Sequence, residues 1–260
     1  DDEREKHPIC DMCRDEKLPT TYLCGVSCPA NPGAWQLHGA FHKALKKNRK
    51  AQEDGGAAQQ RAREAAEEQA RYAARSGDEY SKLIAEGLRY ASKEDTRRSA
   101  RAYREAIVLQ PDAPGAYYNL GAALSNSGHK VEAAQRFIEA KERHLMGSKD
   151  WAEATAQAFD KLRLPACDEV AKPEWWNDEG LKALSARVLR AVPNKESTLD
   201  MRAWVLSGAC GAWETGPRSA AEFMEAAALF DRSAALCDAP AWKAESSGLA
   251  EQCRSRAEAM

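Results

Sequence analysis

Six side chains near the start of the chain have the types and spacing of metal ligands. Cys10 and Cys13 form a Cys-x2-Cys pair, Cys24 and Cys28 a Cys-x3-Cys pair, and His38 and His42 a His-x3-His pair. Thiolates this close grip one ion from a tight turn, and two imidazoles four residues apart share one face of a helix. Both are ligand pairs for a borderline-soft ion, and tetrahedral Zn2+ is the natural choice. An iron–sulfur cluster is disfavoured because histidine pairs seldom ligate one. Residues 7–42 are rich in Cys, His, Pro and Gly and too poor in apolar residues to form a core unaided, so the ion would stand in for the core. Four protein ligands leave no position for water, so the expected role of the zinc is structural and not catalytic.

The elements that follow set the context for this cluster. Lys43, Lys46, Lys47, Arg49 and Lys50 make a basic run. Lys46, Lys47, Arg49 and Lys50 could meet RNA, the ribosome or another phosphate-rich surface, although such a run is also what a solvated helix face looks like. Gly55 and Gly56 interrupt it before a polar helix over about 57–75 that lacks a broad apolar stripe and reads as a spacer. Past Asp78 the residue types repeat with a period of 34. Laying 80–113 over 114–147 aligns Gly87 with Gly121, Tyr90 with Leu124, Tyr103 with Phe137 and Ala106 with Ala140. Small residues such as Gly121 and Ala133 would let paired helices approach, Pro111 would stop a second helix, and Gly128 would allow the turn between two helices.

Two such units cannot bury all their apolar faces alone, so the stack should continue to the end of the chain. Helices are expected over 151–164, 179–191, 199–210, 220–237 and 241–257, the last as a cap, with Pro173-Glu-Trp-Trp-Asn as an interruption. Ala226 and Phe230 occupy the small and aromatic positions of a later unit. Trp175 and Trp176 read as core more readily than as an exposed anchor. Cys167, Cys210, Cys237 and Cys253 read as small buried hydrophobes in helix packing.

Two family resemblances rest on these residues. Tyr22-Leu-Cys24-Gly-Val-Ser-Cys28, followed by Trp35-x2-His38-x3-His42-Lys43, resembles the second half of MYND-type fingers. The nearest variant is the six-cysteine, two-histidine form that precedes the catalytic domain of type 1 methionine aminopeptidases. The likeness covers residues 10–43. It implies a cross-braced finger with two ions, in which Cys10 and Cys13 would join His38 and His42, while Cys24 and Cys28 would need a pair lying upstream of Asp1. Because residue 1 is not Met, such an upstream segment is expected. The other arrangement open is a single site of Cys10, Cys13, Cys24 and Cys28 with the histidines packed beside it.

The stretch from Tyr103 to Leu124, with Gly128, Ala133 and Phe137, resembles the tetratricopeptide repeat. That likeness implies a concave groove for protein or peptide ligands. In one version of the groove a partner's C-terminal carboxylate is clamped by Lys and Asn of a first repeat, Asn of a second, and Lys and Arg of a third. Asn119 and Lys149 match that pattern, whereas Ile84, Leu88 and Glu153 depart from it, and an acid at the last position disfavours carboxylate capture. Tyr118, Asn119 and Lys149 are the expected partner contacts.

The whole therefore reads as mainly α: a zinc finger over 1–43, a basic then polar helical linker over 44–78, and a TPR-like α-solenoid over 79–260. With 38 basic and 40 acidic residues the net charge is −2, so no global field draws the chain to nucleic acid or an anionic membrane. No apolar run is long enough to span a bilayer, and the acidic opening is unlike a signal peptide. An intracellular place, cytoplasmic or nuclear, is expected. MYND fingers accompany SET-domain methyltransferases, yet no SET motif, phosphate loop or aminopeptidase ligand set is present, and no small-molecule substrate is expected. The expected role is an adaptor between proteins, with ribosome or RNA association as the alternative. Metal analysis of the purified chain should return at least one equivalent of zinc, reduced by Cys13→Ser. A metal-free chain whose leading segment resists proteolysis in EDTA would sink the finger.

Overall fold

The computed structural model describes residues 78–260, which are mainly helical. The chain divides into two units, Asp1–Glu64 and Ala65–Met260, and every helix below belongs to the second. The expected finger, basic run and polar spacer lie outside the described residues. In order, the helices are α1 Glu79–Ala91, α2 Thr96–Leu109, α3 Pro114–Asn126, α4 Lys130–Arg143, α5 Lys149–Leu162, α6 Asp178–Ala191, α7 Glu196–Ser207, α8 Ala220–Leu236 and α9 Pro240–Glu258. A 3-10 turn at Pro165–Cys167 interrupts the connection from α5 to α6. None of them is long and apolar enough to cross a membrane.

Local chemistry explains where these helices start. Asp78 accepts from the Tyr80 and Ser81 amides, Asp95 from Arg98, Ser148 from Trp151 and Asn177 from Gly180, each supplying a partner for a first-turn N–H. Ser219 and Glu222 form a reciprocal capping box on α8. Pro114 and Pro240 open α3 and α9, where the missing N–H has no intrahelical use. The Ser148 cap starts α5 two residues before the expected Trp151. Gly208, at φ +61°, ends α7 earlier than the expected Cys210.

Each helix packs against its neighbours in sequence, and α5 also touches α7. The period-34 residues lie at these contacts. Tyr103 and Phe137 are almost wholly buried, with Ala106, Ala133 and Ala140 at 0% exposure. The glycines are needed because of the aromatic rings. A Cβ on Gly87 would stand 2.3 Å from the Tyr103 ring, and one on Gly121 would stand 3.0 Å from Phe137. The small residue at this position thus receives the aromatic of the following helix, a more specific role than general backbone approach. Pro111 follows the end of α2 as expected, and its carbonyl also accepts from Tyr117 Oη at 2.9 Å and Arg143 Nε at 3.0 Å. The Arg143 guanidinium lies 4.1 Å from the Tyr117 ring centroid, so the loop between α2 and α3 is tied to both helices of the next pair.

The C-terminal half uses different means. Phe159, Trp175, Trp176 and Trp213 form a chain of edge and tilted ring contacts at 5.6–5.8 Å. Trp176 Nε1 donates to the Ala212 carbonyl at 3.0 Å. This cluster joins the connection before α6 to the one before α8, and it confirms the expected core role of Trp176, with Trp175 partly buried beside it. Arg218, only 5% exposed, pairs with Asp178 through both guanidinium nitrogens and donates to the Val205 carbonyl at 3.0 Å. The Arg218 hydrogen bonds hold the Asp178 carboxyl at about 2. Its contribution to stability is complete above its ordinary value near 3.8 and is lost as pH falls toward 2. Ala226 and Phe230 are fully buried, as their repeat positions imply, and Cys167, Cys237 and Cys253 are buried free thiols. Cys210 departs from the expectation: it sits in the connection after α7 and is only half-buried.

The glycine contacts give a graded expectation. Gly87→Ala should destabilise the chain by about 1–3 kcal/mol in urea denaturation, because the methyl overlaps a confined ring. Gly121→Ala should be nearly neutral, since a shift of a few tenths of an ångström suffices and alanine adds about 1 kcal/mol of helix propensity. Equal losses at both positions would contradict the packing described.

Candidate functional site

Three odd-numbered helices each carry a line of residues that mixes polar groups with members of the hydrophobic core, Ala123, Ala156, Met201 and Trp204. On α3, Asn119, Ala122, Ala123 and Asn126 follow the spacing of a single helix face; on α5, Lys149, Glu153, Ala156 and Asp160 do the same. On α7 the corresponding face carries Ser197, Asp200, Met201 and Trp204. Two cavities open along these faces.

The first has a volume of about 600 Å³ and lies among Leu88 and Ala91 of α1, Thr96 and Ser99 of α2, and the α3 face, with Tyr103 in its wall. Asn119 and Asn126 give it a polar lining, to which Glu94 adds one acid. Burial pushes the Tyr103 phenol up to about 12, so the ring presents a neutral hydroxyl at any ordinary pH.

Only Asn119 of the three expected partner contacts lines this cavity. Tyr118 is half-buried and meets Phe137 edge-on at 5.4 Å. Burial, with Glu153 and Asp150 adding to it, raises the Tyr118 phenol to about 12. Lys149 stands at the start of α5, 73% exposed and 3.9 Å from Glu153. Glu153 also pairs with Lys195, so the acid that departs from the clamp pattern is held between two lysines. Leu88 lies in the first cavity, and Ile84 packs against the core beside it.

The second cavity, about 690 Å³, lies between α5, α7 and α9. Asp160, Arg163, Ser197, Asp200, Trp204 and Trp242 contribute its polar lining. Although burial acts to raise Asp160, its contacts with Lys161 at 2.6 Å and Arg163 at 2.9 Å hold it below the usual carboxylate range. Arg163 also lies 4.7 Å from the Trp204 ring centroid. Asp200 behaves in the opposite sense. Burial pushes its carboxyl up to about 7, Glu196 and Asp160 add to the rise, and the Ser233 hydroxyl and Arg163 oppose it. Asp200 Oδ1, Ser197 Oγ, Trp204 Nε1 and Trp242 Nε1 are all buried without a hydrogen-bond partner.

Reading the sequence did not single out these four residues. The available signal was faint: Ser197, Asp200 and Trp204 share a helix face, but α7 sits where the 34-residue spacing has been lost. The expected zinc ligands, Cys10, Cys13, Cys24, Cys28, His38 and His42, and the expected nucleic-acid contacts, Lys46, Lys47, Arg49 and Lys50, lie outside the described residues. Among the described residues no cluster of three His, Cys, Asp or Glu side chains could hold a metal ion.

Comparison with known proteins bears on the helical part. Residues 87–128 match the family described as TPR repeat, a span that runs from Gly87 through the turn glycine Gly128. It takes in most of the first period-34 unit and the first helix of the second. No curated protein matches the chain.

Asp200 has a measurable consequence. Its folded-state value lies above its ordinary 3.8, so the native state binds more protons between pH 4 and pH 7 and loses stability as pH rises through that window. Asp200→Asn should therefore be more stable than the parent chain at about pH 8, by about 2–4 kcal/mol, with the gain vanishing near pH 4. Urea denaturation at the two pH values checks this, and a gain independent of pH would contradict it.

Proposed function

We propose that this chain is a non-catalytic adaptor that binds protein or peptide segments along the faces of its odd-numbered helices, with an N-terminal zinc finger as a second module. The observation that carries the reading is the pair of cavities lined by these helices in a stack whose first part matches the TPR repeat. Stacked helix pairs leave one helix face of each pair out of the core, and a row of such faces makes an extended surface suited to a peptide rather than a pocket that encloses a small molecule. The residues along it differ from those of the carboxylate-clamp version of the groove. Leu88 and Glu153 stand where that version has Asn and Arg, so the partner is read as something other than a chaperone tail.

The zinc part of the proposal rests on the spacing of Cys10, Cys13, Cys24, Cys28, His38 and His42 alone. A structural ion there would fix a small surface independent of the helical stack, which is the arrangement an adaptor needs.

Peptide display against the full chain, followed by affinity measurement on groove and outer-face variants, tests the reading. Asn119→Arg or Ser197→Tyr should weaken the selected peptides at least tenfold. Val108→Ser, at an exposed position on α2, should leave them unchanged. Peptides that are insensitive to both groove changes would overturn the assignment of the surface.

A further inference from the structure

The second cavity is selective in charge, and its selectivity follows from which of its ionic groups are already satisfied. Four cations line it. Lys161 and Arg163 are both held by Asp160, Lys195 is held by Glu153, and Lys130 donates to the Ser125 carbonyl at 2.7 Å. Two further acids line it on successive turns of α7, Glu196 and Asp200, and the ion pairs of the lining leave both out. Ser233 of α8 and Cys237 just past its end approach the same acids without supplying a positive charge. Among the described residues, then, three of the four cations are paired with other acids, Lys130 is bonded to a carbonyl, and neither α7 acid has an ion-pair partner.

The neutral polar atoms show a second, independent deficit. Trp204 is more than nine-tenths buried, and its indole N–H has no acceptor; the Trp242 N–H and the Ser197 hydroxyl share that condition. A buried donor without an acceptor costs free energy that a ligand carbonyl can recover. The cavity thus leaves Asp200 without an ion-pair partner of its own, since Arg163, whose charge acts on it, is bonded to Asp160, and it lacks acceptor oxygens beside two indoles. A peptide segment with a basic side chain has both, in its ammonium or guanidinium group and its backbone carbonyls. A polyamine has only the cation, and an acidic peptide would add charge beside Asp200 and Glu196.

We infer that the cavity between α5, α7 and α9 receives a Lys or Arg side chain of the bound peptide, seated on Asp200 with the peptide backbone accepting from Trp204 and Trp242. This deepens the adaptor reading and rests on it. Arg163, lying over the Trp204 ring and anchored on Asp160, leaves the indole edge with its N–H unpaired. Binding a cation favours the ionised form of Asp200, so association releases a proton wherever the free chain holds that carboxyl neutral.

The test is selection of random dodecapeptides on the full chain and on its Asp200→Asn variant, with spermidine as a competitor. The expected outcome is enrichment of Lys or Arg at one register position on the parent chain and loss of that enrichment on Asp200→Asn. For the best peptide, Asp200→Asn and replacement of its basic residue by Ala should each weaken binding at least tenfold, and together little more than either alone. Its affinity should rise roughly tenfold from about pH 6 to about pH 8, as Asp200 ionises. The change made on the peptide needs no altered protein, so a folding defect in the variant cannot mimic the result. Selected peptides without basic enrichment, or equally bound by Asp200→Asn, would overturn this inference and leave the adaptor reading standing. Spermidine displacing the peptide at equal concentration would overturn the peptide class. Failure to select any peptide on either chain would overturn both.

Discussion

A helix pair with two apolar faces is stable only when each face meets another pair, and this constraint governs the whole of the described stack. Inside each of the first two pairs one contact recurs, an aromatic ring seated where a glycine leaves space. Tyr103 fills the gap at Gly87, and Phe137 fills the gap at Gly121. The contact fixes both how near the helices come and which residues meet, because a ring of given size stops at a definite distance. Regular spacing of 34 residues is the consequence of repeating it.

Past α5 the same constraint is met without the same spacing. The connections before α6 and before α8 are long, and each would leave apolar surface and backbone amides exposed if it lay free. They are instead stitched to each other through Trp176, Trp213 and the Asp178–Arg218 pair. An ion pair with a buried arginine is a poor source of net stability but a strong source of specificity, since Arg218 alone would be left charged and unpaired. Here it fixes where α8 begins relative to α6. Lys182, reaching Glu222 at 2.7 Å, extends the same fastening into the capping box of α8.

This difference explains what could be read from the sequence. Helical class, the boundaries of the first pairs and the buried roles of Tyr103, Phe137, Ala226 and Phe230 follow from periodicity, because local spacing and packing agree there. The helix ends at Lys149 and Ser207 were displaced from expectation by particular groups, the Ser148 hydroxyl and the left-handed Gly208, whose effects outweigh the apolar pattern. The first cavity was partly legible through Asn119, which lies in a regular repeat. The second was not, because its walls come from α5, α7 and α9, and no local pattern tells which polar residues of α7 will line a cavity with Trp242. Asp200 looks in the sequence like any solvated helix acid.

An unpaired carboxyl and two unpaired indole donors in one cavity are not a feature that folding alone would favour. Each weakens the isolated chain, and Asn at position 200 would fit the same space without the ionisation penalty. The contrast with Asp178 makes the point, since there a partly exposed acid has Arg218, Trp213 and Lys182 around it and its carboxyl is held low. The same chain therefore compensates an acid where it serves as a fastening and leaves one without an ion-pair partner in the wall of the second cavity. Strained or unsatisfied groups concentrate where a second molecule completes them. In this architecture the rigid aromatic contacts between helices maintain that unsatisfied surface, because a looser core would let Trp204 or Asp200 turn aside and find partners of its own.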